Sequence, residues 1–288
     1  MTEEQGRKTT GTLYVVATPI GNLEDITYRA VRILNEVDLV AAEDTRHSRK
    51  LFARFGIQKP LVSYHDHNEQ QRQEELIQRL QSGEDIALIS DAGTPCIADP
   101  GYRLIGSCHA AGIKVVPIPG ASAVITALSA AGVSTERFAF EGYLPQRAKA
   151  RADLLRQLNG EQRTLVFYEA PHRLAATLAD LVDIMGAEQP LVVARELTKL
   201  YEEFFRGTAA EAVTRFAREP ARGELVLILP PSLQGPQMNV REALRRLLNE
   251  SDLSRREAVK LIAKEYGLSS SDVYRESLSL TGEGDLDE

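Results

Sequence analysis

Hydrophobic and polar positions follow two alternating regimes along the chain. Thr12 to Ala17 is a β-branched and apolar run, closed by Pro-Ile-Gly-Asn and followed by a segment in which Ile26, Ala30, Val31 and Leu34 recur at helical spacing. The pattern predicts a strand, a turn and a helix, and it then repeats. Strands are expected over Val37 to Ala42, Asp85 to Ser90 and Lys114 to Ile118, and helices over Thr45 to Phe55, Asn68 to Gln81, Pro100 to Ala111 and Ala121 to Ala131. Such alternation predicts the α/β class, a mostly parallel sheet covered by helices on both faces.

After Val133 the alternation restarts with a different flavour. Strands are expected over Phe138 to Tyr143, Thr164 to Tyr168, Leu191 to Glu196, Glu202 to Arg206 and Glu224 to Leu229, with helices over Ala148 to Leu158, Pro171 to Met185 and Ala209 to Ala217. Glu202 to Arg206 follows its predecessor with no room for a crossover helix, so some of these strands must pair antiparallel. Pro230-Pro-Ser-Leu-Gln-Gly-Pro is a linker by composition. Beyond it, Val240 to Asn249, Ser254 to Tyr266 and Ser270 to Ser277 carry helical patterns with Ser or Asn at their starts. The expected organisation is therefore an α/β domain over residues 11–133, a second over 134–230 and a helical, helix-turn-helix-like module over 239–280.

Composition narrows the class. With 43% hydrophobic and 26% charged residues, a 288-residue chain is neither disordered nor fibrous over most of its length. Cys96 and Cys108 are too few for a disulfide framework or a structural zinc site. The longest uncharged stretch, Val115 to Val133, is cut by Pro117, Pro119 and Gly120 into a buried strand and a buried helix rather than a membrane span. Glu3, Glu4, Arg7 and Lys8 precede no apolar run, so no secretory leader and a cytoplasmic location are expected.

The net charge of −7 hides opposing patches, since Glu283, Asp285, Asp287 and Glu288 supply four of the seven. Arg46, Arg49, Lys50 and Arg54 stand together without an acid, and Arg147 to Arg156 holds four basic residues against Asp153 alone. Arg245, Arg246, Arg255, Arg256, Lys260 and Lys264 form a third group. Local patches set what a surface attracts, although each alone also fits an ordinary solvated helix face.

Candidate chemistry sits where the expected strands end, because ligands of parallel α/β sheets bind outside the carboxyl ends of strands. The loops are Thr18-Pro-Ile-Gly-Asn, Glu43-Asp-Thr-Arg-His, Asp91 to Gly101 and Pro117-Ile-Pro-Gly-Ala-Ser-Ala. Neither G-x-G-x-x-G nor G-x-x-x-x-G-K-[ST] occurs, which removes the usual dinucleotide and phosphate loops. Asp91 followed by Gly93 and Gly101 suits a ligand held through main-chain contacts and carrying a donor for the carboxylate, while Asp91 and Asp99 equally suit simple loop caps. Asp44, His47, His65, Asp66 and His67 invite a metal reading, but no spacing among them is diagnostic, and no metal is expected. Tyr168-Glu-Ala-Pro-His-Arg and Arg195-Glu-Leu-Thr-Lys put charges directly after apolar strands, which favours a cleft between domains.

Taken together, Ala17-Thr-Pro-Ile-Gly-Asn-Leu-Glu-Asp-Ile-Thr, Ser90-Asp-Ala-Gly-Thr-Pro, Asp99-Pro-Gly, Pro119-Gly-Ala-Ser-Ala, Phe167-Tyr-Glu-Ala-Pro-His-Arg, Ala194-Arg-Glu-Leu-Thr-Lys and Gly223-Glu-Leu-Val-Leu resemble the small-subunit ribosomal RNA ribose methyltransferases of the tetrapyrrole methylase superfamily. The resemblance spans about residues 11 to 280. It implies two α/β domains, a homodimer, and transfer of a methyl group from S-adenosylmethionine to a cytidine ribose 2′-hydroxyl in the decoding region of 16S ribosomal RNA, within the assembled small subunit. It also implies that Pro19, Asp91, Gly93, Ile97, Ser122, Ala123, Tyr168, Ala194 and Leu225 contact the cofactor. The sequence departs from the family pattern at Ala98, where serine is frequent, and at Ala121, where proline is frequent.

Such chemistry asks for a base near a weakly nucleophilic hydroxyl, and Glu196, Glu169 and Lys199 are the candidates, Glu196 first because it directly follows a strand between Arg195 and Lys199. Arg46, Arg49, Lys50, Arg147, Lys149, Arg173, Arg255 and Arg256 are the expected contacts to RNA phosphates. Three rivals remain at this level: a tetrapyrrole or other small-molecule methyltransferase of the same superfamily, a metal-dependent phosphohydrolase using His65, His67 and Asp44, and a non-catalytic RNA-binding protein.

Overall fold

The computed structural model describes residues 10–232, 240–250, 253–265 and 268–278. The charged N-terminal residues 3–8, linker residues 233–236 and the acidic tail at 283–288 lie outside them.

The first sheet contains β1 (Thr12–Val16), β2 (Leu39–Ala42), β3 (Leu61–Ser63), β4 (Ile86–Ile89) and β5 (Lys114–Ile118), all parallel in the order β3-β2-β4-β1-β5. Side chains alternate across a strand, and the burial follows that rule. Val40, Ala42, Ala87 and Ile89 pack with Ile33 and Leu34 of α1 (Tyr28–Glu36) and Leu51 and Phe52 of α2 (Thr45–Phe55). Their neighbours Leu39, Ala41, Ile86 and Leu88 pack on the opposite face with Leu76 and Leu80 of α3 (Glu69–Gln81) and Leu104 and Cys108 of α4 (Tyr102–Ala110). Both faces are thus covered, as continuous apolar strands require.

Side-chain caps account for sharp boundaries. Asn22 accepts from the Glu24 amide at 3.1 Å to start a single 3₁₀ turn, and Thr27 accepts from the Ala30 amide at 3.1 Å to start α1. Asp44 accepts from the Arg46 amide at 2.8 Å to start α2.

α5 (Ala123–Ala131) leaves the first sheet and packs Val124, Ala127, Leu128 and Ala131 against the second, on Val166, Val192, Ala194, Val226 and Ile228. That sheet holds β6 (Phe138–Tyr143), β7 (Thr164–Glu169), β8 (Pro190–Arg195), β9 (Glu203–Thr208) and β10 (Leu225–Leu229) in the order β6-β7-β10-β8-β9. β6 and β7 are parallel; β7 with β10, β10 with β8, and β8 with β9 are antiparallel. The short connection after β8 enforces the last pairing. α6 (Ala148–Leu158), α7 (Leu174–Met185) and α8 (Ala209–Arg218) complete the α/β layers, and Thr208 with Glu211 forms a reciprocal capping box at the start of α8.

The expectation for α7 is corrected at its start. Pro171 does not open the helix, because Ala170, Pro171, His172 and Arg173 form a turn in which the Ala170 carbonyl accepts from the Arg173 and Leu174 amides at 3.0 and 3.2 Å.

Residues 158–162 and the described residues beyond 230 group as a separate compact unit. Within it α9 (Val240–Glu250), α10 (Arg255–Glu265) and α11 (Ser270–Leu278) enclose Leu244, Ala258, Val259, Ile262 and Val273. Ser254 and Glu257 cap α10 at 2.9 Å through the Ser254 amide. Arg256, Lys260 and Lys264 lie exposed at four-residue spacing along α10, and Arg255 is half-buried. Among the described residues no helix is long and apolar enough to cross a membrane.

Candidate active site

The carboxyl ends of β1, β2 and β4 bring three loops together. Thr18 and Gly93 exchange backbone hydrogen bonds at 2.9 and 3.1 Å, which ties the loop after β1 to the loop after β4. The Thr18 hydroxyl donates to the Ser90 carbonyl at 3.1 Å. The Asp91 carboxylate accepts from the Asp44 amide at 3.0 Å, which fixes the loop after β2 to the same frame. Thr94 donates to the Ala121 carbonyl at 3.1 Å, so the loop before α5 joins as well.

These loops face the ends of the second sheet across a cleft of about 370 Å³. Asp91, Gly93, Ile97, Ser122, Ala123, Tyr168 and Leu225 line it, and so do Glu196 and Lys199. Two of the nine expected cofactor contacts fall elsewhere. Pro19 is buried, and Ile20 takes its place in the wall; Ala194 is fully buried on β8 beneath Leu197. Ala98 also reaches the cleft.

The chemistry of the lining is lopsided. Glu43, Asp91, Asp99, Glu196 and Glu224 contribute five carboxylates, against Lys199 as the one ammonium among the lining side chains. Burial raises the pKa of Glu43, and the charges of Asp99, Asp91 and Asp66 add to the effect against a hydrogen bond from the Asp91 amide. Burial likewise raises Asp99, with Asp91, Glu224 and Asp66 adding and a hydrogen bond from Ser90 opposing. Crowded carboxylates of this kind are relieved by a cationic ligand. Aromatic and aliphatic walls complete the cleft: Tyr168 stacks edge-on with Phe140 and Tyr143 at 4.8 and 5.5 Å, and Ile97 is 54% exposed. The Tyr168 hydroxyl is pushed up to about 12, chiefly by burial and the Asp99 charge, against a hydrogen bond from the Val124 amide at the start of α5.

Glu196 is held from two sides. Its carboxylate accepts from the Lys199 ammonium at 3.0 Å, and Lys199's amide donates to its carbonyl at 3.0 Å. Glu196 and Thr198 have φ of 51° and 65°, a left-handed geometry that costs ordinary residues energy and persists where the surroundings impose it. Gly223, with φ of 70°, supplies the space: a Cβ there would lie 1.8 Å from the Glu196 Oε1 atom. Gly21 does the same for Lys199, since a Cβ on it would sit 2.7 Å from the lysine Cγ.

Two expected roles are corrected by this geometry. Glu169 is fully buried on β7 and turned from the cleft, with its oxygens taken by the Thr177 hydroxyl at 2.6 Å, the Ala170 amide at 2.9 Å and Arg173 at 3.2 Å. It is absent from the lining of the cleft. Arg173 is equally committed, pairing with Glu169 and donating to the Leu144 carbonyl with its side chain 14% exposed, so it is unavailable to RNA phosphates. Arg49, Lys50, Arg147 and Lys149 are exposed, and Arg46 is exposed while pairing with Asp44 at 2.9 Å. Asp44 is thereby held down to about 2, through its hydrogen bonds from Arg46.

Glu43, Glu224, Thr94, Tyr143 and Leu197 line the cleft without having been singled out as site residues. The available signal was position, since Glu43 directly follows β2 and Glu224 directly precedes β10. His65 and His67 have ring centroids 6.0 Å apart, and among the described residues no group of three or more His, Cys, Asp or Glu is arranged to hold a metal.

Comparison with known proteins agrees with the topology. Tetrapyrrole (Corrin/Porphyrin) Methylases match residues 12–213. The chain is 48% identical to ribosomal RNA small subunit methyltransferase I of Synechocystis sp., covering 95% of this chain and all of that one. It is 49% identical to the protein of the same name from Pasteurella multocida, covering 93% and 97%. Among solved structures, a cobalt precorrin-4 methyltransferase superposes with a TM-score of 0.60 at 16% identity over 79% of this chain and 98% of its own.

Proposed function

The chain belongs to the tetrapyrrole methylase family, and from that premise we propose that it is an S-adenosylmethionine-dependent methyltransferase acting on small-subunit ribosomal RNA. The observation that carries the reading is the acid-walled cleft at the strand ends. S-adenosylmethionine bears a sulfonium and an ammonium, and the residues present fit it: carboxylates for the charges, Ile97, Tyr168 and Leu225 for apolar parts, and the backbone at Gly93 and Ala123 for polar edges. Whole-length relatives bear the name of a ribosomal RNA methyltransferase, which favours RNA over a small tetrapyrrole as the acceptor.

Bound there, the cofactor supplies a methyl group made electrophilic by its positive sulfur. This chain's residues do the rest. Aligning the acceptor oxygen with the methyl carbon contributes up to ~7–11 kcal/mol of barrier reduction. Glu196, set beside Lys199, accepts the ribose hydroxyl proton as the oxygen attacks, a contribution of roughly 10²–10⁴ in rate. Tyr168, its hydroxyl kept protonated by its surroundings, presents a neutral wall.

The finer reading is methylation of a cytidine ribose 2′-hydroxyl in the decoding region, on the assembled subunit, in the cytoplasm, by a homodimer. Residues 11–133 and 134–230 act as the two lobes of the cleft, and Arg46, Arg49, Lys50, Arg147 and Lys149, with Arg255 and Arg256 on the helical module, attract phosphates. The decisive experiment incubates the protein with methyl-labelled S-adenosylmethionine and unmodified small subunits, then maps the label. Label on a 2′-oxygen of the small-subunit RNA is expected; no transfer to RNA would refute the proposal.

A further inference from the structure

Beside the cleft lies a second groove, with residues 21–24 as one wall, residues 198–200 as the other, and Arg54 also in its lining. Lys199 lines both spaces, so the groove is continuous with the cleft at the one cation the cleft contains. The walls approach so closely that a side chain at Gly21 would meet the Leu197 carbonyl and Thr198 Oγ1 at 2.9 Å. The second wall is braced by hydrogen bonds from the Glu202 amide to the Lys199 carbonyl at 3.1 Å and from the Thr198 amide to the Glu202 carboxylate at 2.7 Å.

Two features of this rim point to the same ligand chemistry. First, Leu23 on one wall and Leu200 on the other project into solvent, and exposed aromatic side chains lie close to them in sequence. Leu200 is 87% exposed and Tyr201, next in sequence, 73%; Tyr28, at the start of α1, is 98% exposed. Second, α2 brings Arg54 to a groove whose other charged lining residues are Glu24 and the Glu196-paired Lys199. The helix contains Arg46, Arg49, Lys50 and Arg54 without one acid. Among the described residues Arg49, Lys50 and Arg54 have no ion-pair partner, and Arg54 stands in the groove itself. Cations along a track that ends in exposed aromatic faces are what single-stranded nucleic acid binds, through its phosphates and by stacking of unpaired bases.

We infer that this groove is the seat of the nucleotides flanking the methylated one, with Arg54 on an RNA phosphate and Tyr201 against an unpaired base. Resting on the proposed RNA methyltransferase activity, the assignment adds a direction to it: the strand follows α2 into the groove and turns its target sugar past Lys199 into the acid-lined cleft. The two fields divide the labour, because carboxylates inside repel phosphates and favour the cationic donor, whereas the basic rim holds the polyanion outside.

The test uses the full-length protein, unmodified small subunits and S-adenosylhomocysteine as a probe of the neighbouring cleft. Tyr201→Ala and Arg54→Gln are expected to raise the KM for subunits, and the Kd for them in a binding assay, by about tenfold each. Arg54→Gln also flattens the salt dependence of binding by about one counterion. Affinity for S-adenosylhomocysteine stays unchanged, and Tyr201→Phe retains subunit binding because the ring remains. Wild-type KM and Kd in both variants would overturn the inference while leaving the activity standing. So would a change in oligomeric state on Tyr201→Ala, which would assign the patch to a second copy of the chain. Absence of methyl transfer by the wild-type protein would instead sink the parent reading.

Discussion

Replacing Gly223 with alanine separates the fold's tolerance from the site's precision. The residue has φ of 70°, so alanine incurs about 1–2 kcal/mol of left-handed backbone cost. Its new Cβ would fall 1.8 Å from the Glu196 Oε1 atom, where ordinary contact begins near 3.4 Å. The obstructed atom is the end of a flexible side chain, so the carboxylate yields rather than the backbone. It must move by roughly 1.6 Å, which breaks its 3.0 Å contact with Lys199. Stability should therefore drop by only ~1–2 kcal/mol, or about 2–8 °C in Tm for a unit of this size, while displacement of a reacting group by more than an ångström reduces kcat by about a hundredfold. Differential scanning calorimetry supplies the first quantity and single-turnover methyl transfer to saturating small subunits the second. If kcat is preserved in a variant with the expected Tm loss, Glu196 has no part in the chemistry. An unchanged Tm would refute the backbone argument itself.

Four further outcomes follow from the same geometry. Glu196→Gln should lower kcat by roughly 10²-fold or more with S-adenosylhomocysteine binding intact by calorimetry, whereas Glu169→Gln should leave the turnover of folded molecules near wild type and cost about 3 kcal/mol of stability, read as a lower Tm, because the fully buried Glu169 no longer supplies the counter-charge of Arg173. Asp99→Asn should weaken S-adenosylmethionine by roughly tenfold and its uncharged-sulfur product by less, a difference visible in competitive titration; equal losses would remove the electrostatic role of the cleft. Raised pKa values for Glu43 and Asp99 mean that the native state takes up their protons more readily than the unfolded chain. Their contribution to stability is thus complete below the ordinary carboxylate range and is lost as pH rises through the elevated native values. Lowering pH from neutrality toward the ordinary carboxylate range should relieve this penalty in the ligand-free protein and weaken donor binding at the same time, as calorimetry at the two ends of that range would register.

Much of this architecture was legible because local and global signals agreed. α2 and β5 run over the residues that the pattern indicates, the first bounded by Asp44 and Gly56 and the second by a β-branched run. β3 was not legible: three half-buried residues after Pro60 are too short to display a period. The site was readable to the level of loops. Seven of nine proposed cofactor positions line the cleft because strand ends and glycines fix where backbone is approachable. Glu169 and Glu196 illustrate the limit. Each carboxylate comes within one residue of an apolar strand's end, yet Glu169 is still paired within β7, where alternation sends it to the face opposite Tyr168, whereas Glu196 has left β8 and turns on a positive φ. One residue of register decides between a buried anchor and a reacting group.

α5 has a mechanical consequence. It starts in a loop that forms one bank of the cleft and buries its apolar side on the sheet that forms the other. Because those contacts are with the second sheet, α5 travels with that bank, and any widening of the gap is taken up in the short loop before it, where the Thr94 hydroxyl holds the Ala121 carbonyl.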